Sequence, residues 1–298
     1  MYTLLAILVD GLVYASWLFV VAVGLTLIFG VMRILNVAHG SLYAFGAYAA
    51  ASLVGAYAAT GFPPAGSLLL LPAAALGVGL VLGLLLERGL LRRLHGRDEI
   101  IILLVTYAAF LILEDVLRLI WGSDAYLAFQ PYAALGNLEA GVLIFATYDL
   151  SLIGLAVLLG LALWWGLQHT RRGKLRVAVI HDPELARLVG IDVSRFHTGT
   201  FVLGAMLGAL GGALTAPQIS VTPGIGVEVI VLAFAVVATG GMGSIPGAAV
   251  GAVIVGLSRA AAVHLLPEVE LFVIYGVMAA VLAVRPHGLF SPAEGRRI

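Results

Sequence analysis

The amino-acid sequence predicts an all-α fold: a polytopic membrane helix bundle of about 8–10 transmembrane helices, one or two of them broken or re-entrant. Composition, the spacing of apolar runs and the placement of basic residues lead there independently. Of 298 residues, 62% are hydrophobic and 11% charged, and the mean hydropathy is +1.10. Soluble domains carry roughly 45–50% apolar and about 25% charged residues, so no folded sphere could hide this much apolar surface from water. A water-soluble enzyme, a disordered segment and a nucleic-acid binder are thereby excluded. The principal solvent is membrane lipid.

Lys and Arg number 16, as do Asp and Glu, so the formal net charge is zero. The total therefore points to neither a polyanionic partner nor an acidic substrate. Cysteine is absent, which excludes disulfides, thiolate catalysis and Cys-ligated metal centres.

A helix crosses about 30 Å of hydrocarbon with roughly 17–25 apolar residues. Nine runs are candidates: 4–29, 37–59, 67–87, 100–121, 150–168, 198–216, 225–239, 247–264 and 271–284. Only Met1, Tyr2 and Thr3 precede the first, with no basic residue, and it is longer than a signal-peptide core, so it reads as a retained span. The second opens on Asn36, Val37, Ala38, His39, Gly40, Ser41, Leu42 and Tyr43, where polar groups and glycine interrupt the apolar pattern. The third leads into Arg88, Arg92, Arg93 and Arg97. The fourth holds Glu114, Asp115 and Arg118 near its end, with Glu114 and Arg118 spaced to pair at i, i+4 close to the outer interface.

Between the fifth and sixth runs lies the one sizeable polar segment, 171–197. In the sixth, Gly204, Gly208 and Gly212 share a face at i, i+4, i+8, a spacing that Gly243, Gly247 and Gly251 repeat later. Such small faces let helix backbones approach closely in lipid. The seventh run begins near Glu228, which has no local partner and either sits at the membrane interface, the favoured reading, or faces an interior pathway. It is followed by a second interruption, Gly240, Gly241, Met242, Gly243, Ser244, Ile245, Pro246 and Gly247. The second and seventh runs are the natural candidates for broken or re-entrant helices. The pair Gly40-Ser41 before Gly46 and the pair Gly243-Ser244 before Gly247 hint at a weak internal repeat.

Nine crossings place Arg33, the cluster at 88–97, the loop 171–197 and the tail with Arg285, Arg296 and Arg297 on one side. Of the 16 basic residues only Arg118 and Arg259 then fall elsewhere. Basic residues are retained in the cytoplasm, so the N-terminus is expected outside and the C-terminus inside. The chain is one transmembrane domain, 1–298, with 171–197 as a cytoplasmic loop within it.

No phosphate-binding loop, H-E-x-x-H or G-x-S-x-G motif occurs. If ATP drives this protein, another chain hydrolyses it. Within the polar loop, Asp182 can cap a helix, Pro183 suits its first position, Glu184 complements the dipole and Gly190 can take the left-handed terminating conformation. Leu185, Leu188 and Val189 form its apolar face. Two readings stand on spacing alone: a helix packed on its own bundle, or one that docks on another protein. A lone histidine such as His39 is more often a hydrogen-bonder than a ligand.

These stretches resemble the permease subunits of branched-chain amino acid ABC importers, the LivH type. The likeness covers nearly the whole chain and is sharpest at 36–43 with Gly46, Ala47 and Tyr48 after it, at 182–190 continuing into Ile191 and Asp192, and at 240–247. The Asn-x-Ala-His-Gly form resembles the shorter permease of a pair. The resemblance implies a second, longer permease, two cytoplasmic ATPases that bind ATP and Mg, and a periplasmic or extracellular solute-binding protein. This chain itself has no catalytic residue, metal or cofactor. The family's coupling helix matches Glu184 to Gly190, capped by Asp182, with Leu185, Leu188 and Val189 meeting the ATPase. Asn36, His39, Ser41, Tyr43, Gly240, Gly241 and Ser244 are placed near the translocation path. The implied location is the bacterial cytoplasmic (inner) membrane, and the cargo a branched-chain amino acid or related small polar solute.

A competing reading is a self-contained channel or facilitator for a small neutral solute such as urea or a short amide. It leaves the terminated cytoplasmic helix without a purpose. An intramembrane enzyme would need a catalytic constellation, and only His39 and His264 offer histidines near spans.

Overall fold

The computed structural model describes residues 2–290 apart from 95, 141, 142 and 182. Each of the nine apolar runs forms a helix. α1 (Tyr2–Met32), α2 (His39–Ala58), α3 (Leu70–Gly89) and α4 (Glu99–Trp121) are followed by the short α5 (Gln130–Ala134) and a hairpin of β1 (Asn137–Ala140) and β2 (Leu143–Ala146). Then come α6 (Thr147–His169), α7 (Arg171–His181), α8 (Pro183–Leu188), α9 (Val193–Thr215), α10 (Ile225–Gly240), α11 (Ile245–Leu265) and α12 (Glu270–Val284). Six helices are long and apolar enough to cross a membrane: α1, α3, α4, α6, α9 and α11. α2 is less apolar, being rich in Ala, Gly, Ser and Tyr, but it is enclosed by α3, α9 and α10 and so meets little lipid. α10 and α12 are shorter, at 16 and 15 residues.

Both helices expected to be broken enter the bundle part-way. After α1 the chain turns at Arg33 (φ +52°), the one non-glycine residue with positive φ among the described residues. Residues 33–38 then run back inside the bundle without helical structure. Thr106 of α4 serves this stretch: its hydroxyl accepts from the Val37 amide at 3.3 Å and lies 3.2 Å from the Leu35 carbonyl. Irregular backbone at membrane depth survives only where protein satisfies it. α2 thus starts at His39, whose ring sits 3.0 Å from the Val21 carbonyl of α1. Val21 is 12 residues, or about 18 Å, from Arg33.

The second re-entry is the mirror of the first. After α9 the stretch 216–224 doubles back, held by a two-way bridge between Tyr126 and Val221 (both N···O 2.9 Å), and α10 begins past Gly224 (φ +93°). α2 runs from the middle toward one end and α10 from the middle toward the other, their first turns meeting at Gly40 and Gly226. The surrounding contacts follow the same inversion: α11 packs broadly on α1, as α3 does on α9. The internal repeat therefore pairs the start of α2 with the start of α10. Gly243 and Ser244, which the sequence pattern paired with Gly40 and Ser41, instead begin α11 at the end of the bundle, where the Ser244 hydroxyl accepts from Gly247 N at 3.1 Å.

Glycine sets the packing distance. A Cβ at Gly204 would meet the Gly24 carbonyl at 2.8 Å, and one at Gly208 would meet the His39 ring at 2.8 Å. The predicted small face of α9 is therefore a packing surface. Gly247 and Gly251 likewise meet Gly240.

One end of the bundle collects the basic segments. Arg33 ends α1, Thr198 of α9 donates to Glu87 of α3 at 2.8 Å, and Phe290, beyond Arg285, donates to the Gly240 carbonyl at 2.9 Å. α7 and α8 lie at this end. The other end carries α5, the hairpin, a His264–Asp10 contact at 2.7 Å and an Arg259–Glu270 ion pair, with the Arg259 guanidinium 4.1 Å from the Tyr14 ring centre. The outermost faces of α4, α6 and α12 remain apolar and exposed, as at Leu104, Leu119, Trp165 and Phe272.

Candidate functional site

Two regions hold the residues singled out by sequence, and they lie apart. Asn36, His39, Ser41 and Tyr43 are fully buried at the mid-bundle junction. The His39 Nε2 faces the Val21 carbonyl while Nδ1 has no partner. Ser41 reaches the Phe110 carbonyl at 3.4 Å, and Tyr43 shares a 2.5 Å hydrogen bond with Thr215 at the far end of α9. Gly240, Gly241 and Ser244 sit at the basic end instead. Gly241 (φ +107°) is where the tail crosses, since a Cβ there would meet the Phe290 backbone. Gly243 touches Gly30 of α1, nine residues or about 13 Å from Val21.

Two carboxylates flank the junction, and neither lies where the sequence pattern placed it. Glu114 is 7% exposed, and its Oε1 is 3.0 Å from where a Gly226 Cβ would be, against the first turn of α10. Its carboxylate sits at the start of α10, within reach of the Gly224 backbone. The expected pairing with Arg118 is not among the ion pairs of the described residues, because Glu114 points into the bundle while Arg118 is exposed. Glu228 is exposed on the first turn of α10. It was expected at the membrane interface; the re-entrant stretch carries the start of its helix to mid-depth instead.

At the basic end, the loop folds as two helices. α7 escaped the sequence reading because it is basic and short, although Thr170 is a recognisable cap, its hydroxyl accepting from Gly173 N at 3.1 Å. Asp182 lies outside the described residues. Pro183 is the first residue of α8, and Gly190 (φ +86°) ends it as expected: Gly190 N bonds the Arg187 carbonyl at 3.0 Å and Ile191 N the Ala186 carbonyl at 2.9 Å. That double bond pattern closes a helix onto a left-handed residue. Ala186 is buried against Val179 and Val193, which leaves the other face outward. Glu184 is exposed, and Leu185, Leu188 and Val189 are 55%, 83% and 68% exposed.

Above this loop a cavity of about 870 Å³ opens between α1, α6, α7 and α9, lined by Leu27, Val31, Leu163, Asp192, Phe196 and Leu203. Arg176 of α7 borders it and also a smaller cavity of about 300 Å³ beside Gly243, Ser244 and Phe290. Its Nε has no partner, and desolvation lowers its pKa. At the opposite end Tyr132 donates to Asp149 at 3.0 Å, and burial together with that carboxylate pushes its pKa up to about 12. No group of His, Asp and Glu able to hold a metal occurs among the described residues.

Comparison with known proteins covers the whole bundle. The family described as branched-chain amino acid transport system, permease component, matches residues 7–282. The chain is 28% identical over 307 residues to the high-affinity branched-chain amino acid transport system permease protein BraD of Pseudomonas aeruginosa, covering 100% of this chain and 99% of the relative. It is 28% identical to LivH of Escherichia coli (97% and 96% covered) and 30% identical to a probable LivH of Methanocaldococcus jannaschii (95% and 91% covered). No solved structure matches. A match running from the first helix to the last, on a bundle with this many spans, is decisive: the chain belongs to the branched-chain amino acid transport permease family.

Proposed function

We propose that this chain is one permease of an ABC importer in the bacterial inner membrane, carrying a branched-chain amino acid or a related small polar solute. It works with a second, longer permease, two ATPases that bind ATP and Mg on the cytoplasmic side, and an external solute-binding protein. The full-length relationship to permeases named for branched-chain amino acid transport carries the reading. The basic end faces the cytoplasm, which puts the N-terminus outside and the C-terminus inside.

α8 is the ATPase-docking element. It lies at the basic end, it is closed by a defined cap, and Leu188 and Val189 stand out from a polar loop. Apolar side chains held outward on so short a helix suit a partner's groove better than water. ATP binding closes the ATPases and moves α8, and the buried Ala186 passes the displacement to α7 and α9. The free energy comes from the different affinity of ATP for the two states of the assembly. The two half-helices at Gly40 and Gly226 form the part of this chain nearest the path, with Asn36, His39, Ser41 and Tyr43 fixing the junction. Gly240, Gly241 and Ser244 line its cytoplasmic exit.

Reconstitution of the complete complex in liposomes tests the reading. Uptake of radiolabelled leucine should require the binding protein and internal ATP. Flux through this chain alone, without ATPases, would instead establish a self-contained channel.

A further inference from the structure

Glu228 stands at a depth that lipid does not tolerate. Its helix starts against Gly40, next to His39, whose ring contacts Val21. Val21 lies about 10 Å inward of Tyr14, the level of the Arg259–Glu270 pair, and about 18 Å from Arg33. Those two levels bracket about one hydrocarbon thickness. An ionisable side chain at such depth costs about 2.5–3.5 kcal/mol against lipid, so the exposed Glu228 faces a wet or protein-lined space. Among the described residues it has no hydrogen bond or ion pair.

What surrounds it is specific. Behind it, the buried Glu114 points at the same helix start, against Gly226 and within reach of the Gly224 backbone. Arg259 is held by Glu270 and the Tyr14 ring. Beside Glu228, Val227 and Val231 are 48% and 41% exposed on the same face. Tyr14, Trp17 and Tyr43 form a line of rings with centres 4.9 Å and 6.2 Å apart. An exposed carboxylate without a partner at this depth, with aliphatic side chains beside it, suits a monovalent ammonium bearing a short branched chain.

We propose that Glu228 receives the ammonium group of the carried solute at mid-membrane, with Val227 and Val231 against its aliphatic part. The proposal rests on the permease reading above and names the substrate contact within it.

Two measurements on the assembled complex decide it. In liposomes, Glu228→Gln should lower leucine uptake about tenfold and Glu228→Asp should restore part of it, with the complex copurifying intact. In the wild type, dicyclohexylcarbodiimide should modify Glu228, located by peptide mass spectrometry, and isoamylammonium should slow that reaction while isocaproate does not. Full uptake by Glu228→Gln overturns the proposal, as does protection by isocaproate or by neither compound. Loss of the second permease from the Glu228→Gln complex also overturns it, since the carboxylate would then pair with that subunit. Should the wild-type complex import no leucine, the substrate reading fails, while the protection experiment still decides the site.

Discussion

The tightest contact between α2 and α9 lends itself to a quantitative test at Gly212. A Cβ there would lie 2.8 Å from the Tyr43 carbonyl carbon and 3.0 Å from the Ala47 nitrogen, and closer still to the Tyr43 oxygen. Ordinary carbon contacts sit at about 3.5–4.0 Å, so Gly212→Ala must part the two helices by about 1 Å. Overpacking of this kind costs about 1–3 kcal/mol. The shift also strains the Tyr43–Thr215 hydrogen bond, and such bonds average about 0.6 kcal/mol in membranes. Against this, Ala gains about 0.8–1.0 kcal/mol over Gly in helix propensity. Gly154→Ala on α6 isolates that last quantity, because nothing lies within 4 Å of a Cβ there. Relative to Gly154→Ala, Gly212→Ala should therefore be less stable by about 1–3.5 kcal/mol in SDS-induced unfolding of the purified protein in mixed micelles. Equal unfolding midpoints for the two variants would refute the close approach of α2 and α9.

Further outcomes are expected at both ends of the bundle and at its central junction. Gly190→Val forces a β-branched residue into φ +86° and should lower substrate-stimulated ATP hydrolysis of the complex while the permease remains folded; unchanged stimulation would reduce α8 to local packing. Because the chain has no cysteine, single cysteines report sidedness directly. In intact cells an impermeant thiol reagent should label Asn137→Cys in β1 and spare Glu184→Cys in α8, and the reverse pattern would invert the orientation. Gly40→Ala should abolish leucine uptake, since a Cβ at that position meets Ile230 Cβ at 2.9 Å and drives the half-helices apart; retained uptake would sever the junction from the path.

Much of this architecture is legible residue by residue. The helix in the polar loop could be read in advance because its signals are local: a proline at the first position and a glycine at the left-handed cap act within a turn of their own backbone. α7 hides because it lacks an apolar run, and a threonine cap alone is weak. The glycines of α9 announce close packing by their spacing, yet nothing in that spacing says that Gly208 meets His39 or that Gly212 meets Tyr43.

What the sequence determined by itself was set by the solvent and by short-range chemistry. Lipid demands long apolar runs, so nine helices could be counted, and the cost of moving basic groups across a membrane sorted the loops, a sorting that matches the single basic end of the bundle. Tertiary structure alone decided where the chain re-enters, because residues 33–38 and 216–224 are tied to Thr106, Tyr126 and the facing helix starts, all distant in sequence. That re-entry moved Glu228 from an expected interface to the middle of the membrane and turned Glu114 inward, away from Arg118. A carboxylate's meaning in this protein follows from its depth, and depth is a property of the folded bundle.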